Sequence, residues 1–201
     1  MKMKLIFFIK SGTVNLENYN IKDIPGSSGR LDVISRAILA AIVKEKDLER
    51  DLEIWVFLDN YGTFVFDSNS FDNDIFPKNE ILLSDYFVKY IKNRSEPELL
   101  NENPLSGIQY LNITIYEAIN NFLKLNYQIF VLNENGEDFC QYFTKLNQKS
   151  NTIFIVGNQS GEIVNSKDLK SLNLKFISLG GQSYLASSVV RLIKLNLSLM
   201  I

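Results

Sequence analysis

The chain has 201 residues, 46% of them apolar and 22% charged, with a formal net charge of −2 at pH 7; this is the balance of a globular protein with one sizeable core, not of a disordered chain. The overall field does not attract phosphate, so any nucleic-acid contact has to come from a local cluster of Lys and Arg. There is no histidine and Cys140 is the only cysteine, which excludes His-based triads, His-ligated zinc, Cys-rich metal clusters and an intrachain disulfide, and suits a reducing cytoplasm.

The first apolar run, in MKMKLIFFIK, is too short for the core of a signal peptide and is closed by Lys10, so it reads as a buried strand over Lys4–Ile9. Leu31, Ile34, Ile38 and Ile42 recur at helical spacing and predict a helix from about Arg30 to Lys46. Strands are expected at Leu52–Leu58 and Thr63–Phe66. A second helix carries Leu82, Tyr86, Val88, Tyr90 and Ile91 and ends near Asn93. The stretch 93–107, with two prolines and mixed charge, reads as an ordered surface excursion rather than a linker. Beyond it, helices over Thr114–Lys124 and Asp138–Leu146 alternate with strands at Gln128–Leu132, Thr152–Val156 and Lys175–Leu179. Several strands are continuously apolar, as strands covered on both faces are. The alternation predicts a three-layer α/β fold with a largely parallel sheet. No segment has the apolar length of a membrane span. In the terminal YLASSVVRLIKLNLSLMI, Leu185, Val189 and Leu192 form one helical stripe, and Ala186, Val190, Ile193 and Leu197 a neighbouring one. A face that broad is expected either inside the domain or against a second subunit.

Three glycine-bearing loops could carry chemistry. In PGSSGRLD, Pro25 and Gly26 make a turn, Ser27 or Ser28 can cap a helix, and Gly29 allows close backbone approach. Asp32 complements the helix dipole and lies four residues before Arg36, so an ordinary surface ion pair accounts for it. Arg30 is different, because a cation at a helix N-terminus opposes the dipole; an anionic partner, either a phosphate or Asp32 itself, resolves the conflict. The other loops are Gly157-Asn158-Gln159-Ser160-Gly161 and Gly180-Gly181-Gln182-Ser183. Each follows a strand at the end where open α/β sheets bind ligands. Neither is a dinucleotide fingerprint or a P-loop.

The run DIPGSSGRLDVISRAI resembles the signature of the archaeal tRNA pseudouridine-54 N1-methyltransferases, a family of the SPOUT superfamily. That signature is a Leu-Pro-Gly turn, then Gly-Arg-Leu-Asp, then a helix bearing a further Arg. PKNE at 77–80, PLSGIQY at 104–110, VLNENGED at 131–138, FIVGNQSG at 154–161 and ISLGGQSYLA at 177–186 resemble further landmarks in the family's order, so the likeness spans nearly the whole chain. It implies a single SPOUT-type α/β domain over 1–201, with helices on both faces of the sheet and a C-terminal trefoil knot and cofactor region at about 128–201. It also implies S-adenosylmethionine as cofactor, a cytoplasmic homodimer acting on tRNA at N1 of pseudouridine 54 in the T-loop, and no metal or membrane. By the same resemblance, Asp32 accepts or orients the N1 proton, and Arg30 and Arg36 hold a phosphate or an imide oxygen. Leu132, Gly157, Leu179, Gly180, Gly181, Gln182, Ser183, Tyr184 and Val189 would surround the cofactor.

The chain departs from the family where members carry Asp-His after the first late glycine, and here Asn158-Gln159 stand. Tyr184-Leu185-Ala186 and Ile193–Asn196 likewise replace stretches that hold the family's other histidines. The alternatives are a methyltransferase of this fold acting on another RNA, and a non-catalytic RNA- or nucleotide-binding homodimer. A third is a structural dimer whose glycine loops are plain turns.

Overall fold

Strand β1 (Leu5–Ser11) is buried along both faces, and its alternating side chains seed two separate cores. Phe7 and Ile9 join the larger one, and Ile6 and Phe8 the smaller. In the computed structural model, which describes residues 4–143, 150–157, 169 and 171–199, the chain continues through α1 (Ile24–Ser27) and α2 (Leu31–Ile42). A short hairpin of β2 (Val43–Lys44) and β3 (Asp47–Leu48) follows, then β4 (Leu52–Leu58), β5 (Gly62–Asp67), α3 (Glu80–Asn93) and β6 (Gln109–Leu111). The remaining elements are α4 (Ile115–Lys124), β7 (Gln128–Asp138), α5 (Phe139–Phe143), β8 (Thr152–Val156), β9 (Lys175–Ser178) and α6 (Ala186–Leu199).

The seven-stranded sheet has the order β6-β5-β4-β1-β8-β7-β9. From β4 to β9 neighbouring strands are parallel, while β5 and β6 add an antiparallel edge. The larger core lies between one face of the sheet and α2, α3 and α6. On the other face α4 contributes Ile115, Ala118 and Ile119 to the smaller core. The expected α/β architecture with a mainly parallel sheet is therefore present.

Helix α2 stops short of the expected Lys46. Val43 leaves the helix in extended conformation and pairs with Leu48, and Glu45 takes a positive φ of 57° at the hairpin turn. At the end of α2, the Lys194 ammonium of α6 donates to the carbonyls of Ala40 and Ala41 at 3.0 and 2.6 Å. A cation there satisfies orphan carbonyls and complements the dipole. Helix α4 starts where expected because Thr114 and Glu117 form a reciprocal capping box. Strand β7 overruns its expected end at Leu132: its pairing with β9 shifts register between Leu132 and Glu137, and the bulged strand carries on to Asp138. β6, a three-residue edge strand, has too little pattern to be seen in sequence. The part of the expected helix beyond Phe143, to Leu146, lies outside the described residues.

Candidate active site

The carboxyl ends of β1, β7, β8 and β9 meet α2 and α6 around a cleft of about 590 Å³. Strand β7 supplies Leu132, Asn133 and Glu134, β8 leads into Gly157, and β9 leads into Leu179 and Gly180. Gln182, Ser183 and Tyr184 continue that rim, and Val189 closes it from α6. Eight of the nine residues expected around a cofactor thus line one cleft. The ninth, Gly181, lies within the same loop, and a Cβ there would meet no atom within 4 Å. Asn158, Gln159, Ser160 and Gly161 lie outside the described residues.

Two local devices hold the loops together. The Ser178 hydroxyl lies 3.1 Å from the Glu134 carbonyl and 3.0 Å from that of Gly180, and accepts from the Gly180 amide at 3.1 Å. The bulge of β7 and the loop after β9 are tied through this one side chain. Gly136 lets the bulge lie flat on β9, since a Cβ there would sit 2.6 Å from the Ile177 main chain.

The PGSSGRLD corner forms the facing wall. Ser28, not Arg30, caps α2: its Oγ accepts from the Leu31 amide at 3.0 Å. Gly29 has φ 61°, and a Cβ there would lie 1.8 Å from the Thr13 carbonyl oxygen, so the corner presses directly on the loop after β1. The Thr13 hydroxyl donates to the Gly29 carbonyl at 2.8 Å, and the Asn15 amide donates to that of Ser28 at 3.2 Å. Arg30 is also left-handed, with φ 73° and ψ 35°, a conformation costing a non-glycine residue about 1–2 kcal/mol. This backbone swings its half-exposed side chain to the edge of the cleft.

Asp32 lies behind Arg30, with only 3% of its side chain exposed. Its Oδ1 accepts from Arg30 Nε at 3.0 Å, and its Oδ2 from Arg30 Nη2 at 3.3 Å and Arg36 Nη2 at 2.6 Å. The carboxylate raises the pKa of the Arg30 guanidinium above its ordinary value, by hydrogen bonding first and by charge second. Arg36 also reaches Glu80, Nε to Oε2 at 3.4 Å. The structure thus brings Arg30 to the cleft beside the glycine loops, whereas Asp32 and Arg36 stand behind it as an ion-pair support.

Sequence reasoning missed the contribution of β1. Ile9, Lys10, Ser11 and Thr13 line the cleft because β1 is central in the sheet, a placement set by strand order. Asn133 and Glu134 were also missed as lining residues, although their loop was singled out; their signal was a polar run directly after a buried strand. Among the described residues, no group of three or more His, Cys, Asp or Glu could hold a metal ion, and no helix is long and apolar enough to cross a membrane.

A family model described as "Putative SAM-dependent RNA methyltransferase" matches residues 3–200. The chain belongs to this family. A tRNA (pseudouridine(54)-N(1))-methyltransferase of Pyrococcus abyssi is 26% identical over 206 aligned positions, covering 96% of each chain. Another, of Methanococcus vannielii, is 30% identical and covers 77% of this chain and 78% of the relative. The crystal structure of Archaeoglobus fulgidus Nep1 bound to S-adenosylhomocysteine has the same fold, with a TM-score of 0.63 over 100% of this chain and 99% of the other, at 14% identity.

The cleft of this methyltransferase-family chain fits the cofactor its family uses. Its volume lies within the range of small-molecule sites, and Leu132, Val156, Leu179 and Val189 provide aliphatic walls for a flat base. The main chain at Gly157 and Gly180 offers donors and acceptors without side-chain obstruction, and Asn133, Glu134 and Ser183 offer polar groups for hydroxyls and an amine.

Proposed function

We propose that this chain is an S-adenosylmethionine-dependent tRNA methyltransferase that methylates N1 of pseudouridine at position 54 in the T-loop. The observation that carries the reading is the convergence of Arg30, held left-handed and braced by Asp32, with the two glycine-rich strand ends around one cleft.

S-adenosylmethionine, when bound, supplies an electrophilic methyl group. The chain's own contribution is alignment, charge and a pocket for an unstacked base. Leu132, Leu179 and Val189 grip apolar surface, and Gly157 and Gly180–Tyr184 present main-chain groups. Arg30 holds a phosphate or an imide oxygen, where a fixed cation favours the ring that has lost its N1 proton. Of the two roles expected of Asp32, orienter fits its surroundings better than proton acceptor, because both carboxylate oxygens already accept from guanidinium groups. Arg36 shares that support.

The same reading makes the chain one domain with its C-terminal part, about 128–201, threaded as a trefoil knot, working in the cytoplasm as a homodimer. Leu185, Leu195 and Leu199 are 46%, 55% and 76% exposed around α6, apolar surface that a second subunit would cover. The test is mass spectrometry of nucleosides from pseudouridine-containing tRNA incubated with the protein and labelled S-adenosylmethionine. Label in N1-methylpseudouridine is expected; label in another nucleoside reassigns the target, and cofactor binding without label refutes catalysis.

A further inference from the structure

Beside the cleft, on the same edge of the sheet, lies a second cavity of about 420 Å³. We propose that it holds the base of a second nucleotide of the RNA, stacked on Arg94 and Tyr110. This inference rests on the reading of the first cleft as the site where an RNA nucleotide reacts.

The cavity is built at the β4–β5 turn and the end of α3. Gly62, with φ 96°, leaves the turn bare, so the Tyr110 ring packs where a Cβ would stand, 2.7 Å from its Cε2. The ring is 39% exposed and is steadied by Phe64 at 5.5 Å between centroids. Arg94 lies over it, guanidinium carbon 4.9 Å from the centroid. One guanidinium nitrogen donates to the Ile91 carbonyl at the end of α3, which fixes the group in its own plane as well. Capping alone accounts for that bond, but not for a guanidinium laid on an exposed tyrosine at the wall of a cavity. Among the described residues Arg94 makes no ion pair with a carboxylate. Single-stranded RNA is recognised by such flat platforms, in which aromatic rings and arginine planes stack unpaired bases.

Position relative to the cleft strengthens the assignment. Lys10, at the end of β1, lines both cavities and holds Asp59 on the turn at 2.7 Å. The Tyr61 hydroxyl accepts from the Leu16 amide at 2.7 Å, and the Asn60 side chain donates to the Val14 carbonyl at 3.4 Å. Asn60 and Tyr61 of this cavity are therefore tied to the segment after β1, whose Thr13 lines the cleft and braces the Arg30 corner. A strand whose reacting nucleotide enters the cleft would lay a neighbour on Arg94. Asp59, Asn60 and Asn112 would face the edge of its base.

The experiment measures binding of a pseudouridine-containing T-arm hairpin to native protein, Arg94→Gln and Tyr110→Leu by fluorescence anisotropy at one salt concentration. S-adenosylhomocysteine affinity, melting temperature, kcat and KM are recorded in parallel. Each variant should bind the hairpin roughly 5- to 100-fold more weakly. KM for the RNA should rise, while kcat at saturation, cofactor affinity and melting stay at native levels. A hairpin carrying 4-thiouridine beside the target should photo-crosslink to the peptide containing Tyr110. Native hairpin binding by both variants, or cross-linking confined to other peptides, overturns the subsite. Methylation of the hairpin by native protein reports separately on the proposed reaction. A hairpin methylated normally but bound equally by the variants sinks the subsite alone. One bound through Arg94 and Tyr110 yet never methylated sinks the reaction alone.

Discussion

Replacing Arg30 with glycine separates the backbone of the corner from its charge. Glycine accepts φ 73° without steric cost, so the substitution recovers about 1 kcal/mol of left-handed strain. It also removes an ion pair to Asp32, but the Arg30 side chain is 50% exposed and Arg36 still holds the carboxylate at 2.6 Å. Solvent screening limits that loss to about 0.2–1 kcal/mol. The two terms nearly cancel, so Arg30→Gly should melt within about 2–4 °C of the native protein. Arg30→Ala loses the same pair and keeps the strain, and should melt about 2–4 °C below the glycine variant. Both lose the cationic contact in the cleft, which as a charge-assisted hydrogen bond predicts roughly a 10- to 100-fold fall in kcat/KM for tRNA. Differential scanning calorimetry and a methyl-transfer assay on the same preparations provide the readings. If the glycine variant is no more stable than the alanine variant, the corner stores no strain. If both methylate at the native rate, the guanidinium has no part in the reaction.

Asp32→Asn sets an amide against two guanidinium groups in a site that is 3% exposed, and should cost about 1–3 kcal/mol, read as a lowered denaturant midpoint; a midpoint equal to native would show that the arginines do not depend on it. Gly181→Val meets open space and should leave melting unchanged while abolishing S-adenosylhomocysteine binding in calorimetry; native affinity would remove this loop from the cofactor site. Burial lowers the pKa of Lys194 from 10.5 despite its pair with Glu49. Between that lowered value and pH 10.5 the unfolded chain holds this lysine's proton more tightly, so its contribution to stability rises with pH. Tyr19 and Tyr90, raised by burial, act the opposite way above pH 10, so the expected reading is that the stability of the native protein relative to Lys194→Met rises across this window. Lys4 and Lys89 are shifted the opposite way and lose their contribution only above pH 10.5, outside the window compared. Sedimentation should find a dimer at micromolar concentration, and a monomer there would leave the apolar surface of α6 without the proposed cover.

Local pattern was enough for the elements whose causes are local. The apolar runs at Leu52–Leu58 and Thr152–Val156 emerge as β4 and β8 with the expected bounds, because continuous burial on both faces leaves no other reading. The end of α3 at Asn93 and the start of α4 after Thr114 were equally readable from helical spacing, and the Thr114–Glu117 capping pair is what fixes the latter in the structure. Family likeness marked the two late glycine loops and the Gly-Arg-Leu-Asp corner, and the structure gathers Gly157, Gly180 and Arg30 around one cleft. Other features depend on contacts between residues far apart in the chain. Helix α2 ends at Ile42 because a hairpin forms there, and Gly136 is required because β7 bulges against β9. Asp32 carries the same sequence signal whether it faces substrate or salt bridge. The left-handed turn at Gly29-Arg30, pressed against the loop after β1, directs it to Arg30 and Arg36. Lys10 looks like the polar end of a strand, and it borders two cavities because strand order makes β1 the centre of the sheet, with β4 on one side and β8 on the other.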